Sequence, residues 1–173
     1  TDDDRIADHA KGCGAEAIMT SSIARNGTER CAEAGGEAEV IVNLQGDAPL
    51  TPPWFVEGLI DAMKAAPACQ MATPVLKCDA AGLRGFQDDR KAGRVGGTTA
   101  VLRPNGDALY FSKEVLPYTE ADWSGDTPEV WHHVGVYAYR PAALAAYMSW
   151  PEGALERREG LEQLRFLENG HPV

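Results

Sequence analysis

The segment Val40-Ile41-Val42-Asn43-Leu44 constrains this chain more than any other. Four of its five residues are large and apolar, and three are β-branched. Such a run suits a strand covered on both faces, the habit of sheets in α/β proteins. It stops at Gln45-Gly46-Asp47. Thr51 followed by Pro52 and Pro53 then opens a helix, in which Trp54, Phe55, Leu59, Ile60 and Met63 recur at helical spacing toward a core. Before the strand, Arg5 to Lys11 reads as a helix behind Asp2, Asp3 and Asp4, and Gly12 and Gly14 end it. Ala15 to Met19 reads as a short strand, and Gly27-Thr28-Glu29-Arg30 opens a second helix. After it come a strand over Gln70 to Val75 and a hairpin of Thr98 to Leu102 with Ala108 to Phe111 about Pro104-Asn105-Gly106. His133 to Tyr139 reads as a strand, Arg140-Pro141 opens a short helix, and Leu155 to Asn169 reads as one amphipathic helix with Leu161, Leu164 and Leu167 inward. Residues 77–97, rich in Gly, Asp, Arg and Lys, read as a loop or insertion. Strands alternating with helices predict an α/β fold, a mostly parallel mixed sheet flanked by helices, with one hairpin.

At 173 residues the chain is long enough for one good core, and residues 1–173 are read as a single domain. Its 26 Asp and Glu against 16 Lys and Arg leave a net charge of −10, which repels phosphate backbones and anionic lipid heads. Nucleic acid and membranes are therefore not expected partners. No apolar run approaches the roughly 18–20 residues needed to span a bilayer, and Thr1 to Arg5 has no secretory-signal pattern. Cys13, Cys31, Cys69 and Cys78 lack C-x-x-C spacing, as expected of reduced thiols in a cytoplasmic protein.

In an open α/β sheet, ligands bind beyond the carboxyl ends of strands, where Gln45-Gly46-Asp47 falls. Asp47 is suited to hold Mg²⁺ through its oxygens, although spacing alone favours the plainer reading, that it caps the turn before Pro49. Asn26-Gly27-Thr28-Glu29-Arg30 offers amides at a helix start, a hydroxyl and a guanidinium, enough either for an anion or a base edge or for a plain helix cap. His132 and His133 must point to opposite faces of their strand. Tyr137 shares a face with His133, and so does Tyr139. Glu162 and Gln163 interrupt the last helix, and surface solvation explains them equally well. No P-loop, dinucleotide, zincin or serine-hydrolase motif occurs.

Taken in order, several segments resemble 3-deoxy-manno-octulosonate (Kdo) cytidylyltransferases, also called CMP-Kdo synthetases. They are Thr1-Asp2-Asp3, Asn26 to Arg30, Val40 to Leu50 (VIVNLQGDAPL), Met71-Ala72-Thr73, Gly106 to Lys113 (GDALYFSK), His133 to Arg140 (HVGVYAYR) and Leu161 to Arg165 (LEQLR). The resemblance implies a Rossmann-like nucleotidyltransferase fold and transfer of a cytidylyl group from CTP to Kdo with Mg²⁺, for lipopolysaccharide biosynthesis. It implies Asp47 as metal ligand and catalytic residue, with Thr28, Arg30, Gln45 and Gly46 at the nucleotide. Lys113, His133, Tyr137, Glu162 and Gln163 fall at the sugar acid, Lys113 also in a catalytic role. Lys113 stands where the family usually has arginine, which keeps other sugar acids open, of 8-amino-Kdo or neuraminate type, and Ala48 replaces a usual glutamate. From a different class, a non-catalytic sugar-nucleotide-binding or dimerisation module is the alternative. By analogy the chain is expected to form a homodimer, through an excursion at Glu114 to Trp131 within a dimer and sugar-binding subregion, 98–140. The family's basic phosphate loop and its second metal-binding aspartate have no counterpart in these residues, so the chain as it stands is expected to be a fragment and inactive alone.

Overall fold

A computed structural model describes residues 1–120 and 128–173. In chain order these form α1 (Asp4–Gly12), α2 (Gly27–Ala34), β1 (Ile41–Leu44), α3 (Pro53–Ala65), β2 (Met71–Ala72), β3 (Val75–Lys77), α4 (Ala80–Lys91), β4 (Thr98–Leu102), β5 (Ala108–Ser112), β6 (Trp131–His133), β7 (Val136–Tyr139), α5 (Pro141–Ser149), α6 (Ala154–Glu159) and α7 (Leu164–Glu168).

The strands make two sheets, β1-β7-β2 and β3-β6-β4-β5. They share a seam. The segment from β2 to β3 runs antiparallel to the segment from β6 to β7, and both break at the same level. Pro74, which has no N–H to give a ladder, interrupts the first. A tight turn interrupts the second, where the Val136 amide donates to the Val134 carbonyl at 2.7 Å. The register shifts by two residues across the break. This is why the strand expected over Gln70 to Val75 and the one over His133 to Tyr139 each appear as two.

The α/β class stands, but a mostly parallel sheet does not. Every ladder among the described residues is antiparallel. The physical reason is the placing of β7, which descends between β1 and β2 and pairs with both, so two strands that run the same way never touch. The hairpin is as expected, β4 with β5 about Gly106 at φ +93°.

β7 is buried on both faces. Tyr137 and Tyr139 turn toward Leu144 and Tyr147 of α5 and Phe166 of α7, and Val136 and Ala138 turn toward Leu59 and Met63 of α3. β1 follows the same division, with Ile41 against the aromatic layer and Val42 against α3. Of the apolar positions expected inside α3, Leu59 and Met63 are buried, whereas Trp54 is 65% exposed.

Three other expectations change. Residues 77–97 are not a loop: Asp79 caps α4, its carboxylate accepting from the Gly82 amide at 2.7 Å, and Leu83 anchors the helix beside Cys78 and Val130. Ala15 to Met19 forms no strand: among the described residues no strand pairs with it, and its backbone bonds go to the Ala10 carbonyl, from the Ala15 amide, and to the Thr1 amine, which donates to Ile18 O. The last helix is two, α6 and α7, because Gly160 ends α6 in the left-handed region at φ +64°, where a residue with a Cβ is strained. Part of the Glu114 to Trp131 excursion, residues 121–127, lies outside the described residues. Among the described residues no helix is long and apolar enough to cross a membrane.

Candidate active site

The carboxyl end of β1 opens into a crevice of about 820 Å³, within the range of small-molecule sites. One wall is the strand and its turn, Ile41 to Asp47, and the other is α2 and the N-terminal segment. Among the residues singled out from sequence, Arg30, Gln45, Gly46, Asp47 and Glu162 line it. Thr28, Lys113, His133, Tyr137 and Gln163 are not among its lining residues, and four of these five are buried, Lys113 being half-buried.

Asp47 is exposed at the tip of the β1 turn. Its expected role as a bare turn cap gains no support, because no hydrogen bond to its carboxylate occurs among the described residues. The Ala48 amide is instead held by the Gln45 carbonyl, and the Thr51 hydroxyl donates to the Ala48 carbonyl. The turn is thus closed by its neighbours and the carboxylate is left to the crevice.

α2 is held by a chain of contacts that reaches deep into the core. Asn26 caps it, accepting from the Glu29 amide at 2.9 Å, while its Nδ2 donates to the Tyr147 hydroxyl at 3.0 Å. Tyr147 donates in turn to Glu156 at 3.1 Å. Glu156 forms a two-pronged ion pair with Arg165, at 2.6 and 2.7 Å, and the guanidinium lies 3.9 Å from the centre of the Tyr147 ring. Both charged side chains are almost wholly buried. Gly27 lies flat on Asn43: a Cβ there would come within 2.8 Å of the Asn43 amide. Arg30 is fixed across the mouth, donating to Thr20 Oγ1 at 2.9 Å and paired with Asp2 at 3.0 Å. That arginine holds the Asp2 carboxyl below the usual aspartate range.

Thr28 and Glu162, 134 positions apart, are in direct contact. The Thr28 hydroxyl donates to Glu162 Oε2, the Thr28 amide donates to the same oxygen at 3.3 Å, and the Tyr139 hydroxyl lies 3.1 Å from Thr28 Oγ1. Burial pushes the Glu162 carboxyl above the ordinary glutamate range, opposed by the two Thr28 bonds. Next to it, Tyr137 is raised by burial and then by the negative charges of Glu162 and Asp47. Of these three groups, the Glu162 and Asp47 carboxylates both line the crevice. The His133 and Tyr137 rings sit 5.5 Å apart across the break between β6 and β7, and Tyr137 stacks on Tyr139 at 6.1 Å. Lys113 rests its ammonium against Gly160, close enough that a Cβ on that glycine would lie 2.9 Å away. Its backbone amide donates to Glu159 at 2.9 Å. Glu159 also accepts from Ser112 at 2.8 Å, so the end of β5 is tied to the last residue of α6. Gln163 is 1% exposed, and neither atom of its amide has a hydrogen-bond partner among the described residues.

Sequence reasoning missed Asp2, Asn43, Thr73, Tyr147, Glu156, Glu159 and Arg165. Asn43 carried a signal: a carboxamide in the middle of an apolar strand requires a purpose, and here its Nδ2 is buried without a partner. Glu156 and Arg165 carried none, because nothing in one sequence pairs charges on different helices.

The site is thus a small-molecule-sized crevice at a strand end of an α/β scaffold, walled by an arginine, an aspartate and a helix start, and comparison with known proteins gives it its class, that of the nucleotidyltransferases. A family model described as Cytidylyltransferase matches residues 1–173. The chain is 40% identical over 177 residues to a 3-deoxy-manno-octulosonate cytidylyltransferase of Maricaulis maris (strain MCS10), covering all of this chain and 68% of that protein. It is 38% identical to one of Chlamydia trachomatis serovar L2, covering all of this chain and 65% of that protein. A solved structure described as CMP:2-keto-3-deoxy-manno-octonic acid synthetase complexed with CTP superposes with a TM-score of 0.83 at 35% identity, covering 100% of this chain and 68% of that one. The chain belongs to the 3-deoxy-manno-octulosonate cytidylyltransferase family, and it spans about two thirds of the length of these relatives.

Proposed function

We propose that the intact protein transfers the cytidylyl group of CTP to Kdo, giving CMP-Kdo and pyrophosphate. The observation that carries this reading is that Arg30, Gln45, Gly46, Asp47 and Glu162 line one crevice at the end of β1, with Thr28 bonded to Glu162, in a chain whose relatives are named for that reaction. Those names favour Kdo over the amino-Kdo and neuraminate alternatives, and an enzyme over a binding module.

In this reading the anomeric hydroxyl of the sugar attacks the α-phosphorus in line, and the bond to the β-phosphate oxygen breaks. Such chemistry needs alignment and charge neutralisation more than a covalent nucleophile. Arg30, Gln45, Gly46 and the start of α2 hold the nucleotide, with Thr28 acting through the position of Glu162. Glu162, Gln163, His133, Tyr137 and Lys113 receive the sugar acid, the lysine countering its carboxylate as a point charge. A buried carboxamide without partners costs about 1–3 kcal/mol per orphaned group, so Gln163 is suited to a polar ligand that supplies them. Mg²⁺ fits Asp47, because this ion binds through one or two carboxylates plus substrate phosphates and needs no full protein cage. When bound there it would offset charge on the triphosphate and its leaving group. Among the described residues no cluster of three metal-ligating side chains occurs, so the remaining ligands would come from elsewhere. A cytoplasmic homodimer serving lipopolysaccharide biosynthesis completes the proposal.

His133→Ala and Tyr137→Phe are expected to raise the sugar-acid KM about tenfold, the worth of one good hydrogen bond, with CTP KM within about twofold of normal. Steady-state pyrophosphate release with each substrate varied checks this. A defect confined to CTP would remove both residues from the sugar side.

A further inference from the structure

Thr73 sits at the seam where both long strands break, and its hydroxyl is 2.9 Å from His133 Nε2, 3.1 Å from the Val134 carbonyl and 2.9 Å from the Val136 carbonyl. A hydroxyl has one proton to donate. Carbonyl oxygens only accept, so with two of them at hydrogen-bond distance that proton is committed to the backbone. The threonine oxygen is then an acceptor toward the ring, and the partner it needs on Nε2 is an N–H. The ring itself is enclosed: His133 is 6% exposed, Phe111 stands edge-on at 5.0 Å and Tyr137 lies at 5.5 Å. Burial, then the neighbouring His132, lowers its pKa to about 4, so at neutral pH it carries a single proton.

We infer that Thr73 is a positioning residue that locks neutral His133 in the Nε2–H tautomer and so turns a bare Nδ1 acceptor toward whatever polar group the histidine binds. No protein partner of Nδ1 occurs among the described residues. The identity of that group as a sugar hydroxyl rests on the function proposed above, whereas the lock itself does not. A histidine in this state accepts a hydrogen bond and repels another acceptor, so the device selects a hydroxyl over a carboxylate oxygen at this spot. It also explains why a threonine stands at a strand break, where a serine would keep the hydroxyl and a valine would keep only the shape.

The test begins with the unaltered intact protein. A two-bond proton–nitrogen NMR spectrum of the histidine rings, assigned by the signals lost in His133→Asn, is expected to show His133 neutral with Nε2 protonated between about pH 6 and 8. An Nδ1–H ring, a tautomer mixture or an imidazolium overturns the lock. Thr73→Val is expected to release the tautomer and raise the sugar-acid KM about tenfold with CTP KM unchanged. Thr73→Ser is expected to restore both the Nε2–H signature and the KM to within about twofold. A Thr73→Val protein that keeps the tautomer and the KM overturns the positioning role. If Nε2–H is seen but His133→Ala leaves the sugar KM unaltered, the sugar-site reading fails and the lock survives.

Discussion

Asp47→Ala in the intact protein is expected to lower CTP-dependent pyrophosphate release by about two to three orders of magnitude, the usual cost of removing a group that neutralises developing charge. The fold should be untouched. Asp47 is exposed at the tip of a turn whose hydrogen bonds belong to Gln45, Ala48 and Thr51, and surface changes of that kind usually stay within about 0.5 kcal/mol. Asp47→Asn keeps an oxygen but not the charge, and should recover little. Raising Mg²⁺ should recover part of the Asn variant's rate if the loss is one of metal affinity. A turnover within twofold of normal for either variant would take Asp47 out of the mechanism.

Arg165→Met is the second large effect, and it falls on stability. The substitution leaves the Glu156 carboxylate, 4% exposed, without its ion-pair partner in the core. Breaking a buried pair from one side costs about 3–5 kcal/mol, enough in a domain of this size to lower the melting temperature by on the order of 10 °C. Replacing both partners, as in Arg165→Met with Glu156→Leu, should return part of the loss, since an apolar pair has no charge to strand. Thermal unfolding of the three proteins checks the order. The consequence reaches the site, because the same pair holds Tyr147, Tyr147 holds Asn26, and Asn26 caps the helix that carries Thr28 and Arg30. The single variant should therefore also weaken CTP binding, although neither residue lies within hydrogen-bond distance of Thr28 or Arg30.

The parts of the fold legible in sequence are those whose local chemistry and tertiary burial agree. β1 is two β-branched residues and a leucine around one asparagine, α3 begins with Pro53 behind Pro52 at its N-cap, and the β4–β5 hairpin turns on Asn105-Gly106. α4 was hidden because its two glycines, its charges and a single fully buried side chain, Leu83, imitate a loop. α6 and α7 looked like one helix because Leu161, Leu164 and Leu167 keep an apolar rhythm past Gly160, whose positive φ has no signature in periodicity. Pairing direction was beyond reach, since a strand buried on both faces reads alike whether its neighbours run with it or against it. At the site, Gln45-Gly46-Asp47 was visible from its place after a strand. Thr28 with Glu162, and Lys113 with Gly160, are meetings made only by the fold.

The most direct test is a crystal structure of the intact protein grown with CTP and Mg²⁺. The account expects the triphosphate over the β1 turn with Asp47 at the metal, and the cytidine along Arg30 and the start of α2. Nucleotide bound elsewhere, with the Asp47 carboxylate pointing to solvent and no cation beside it, would contradict it.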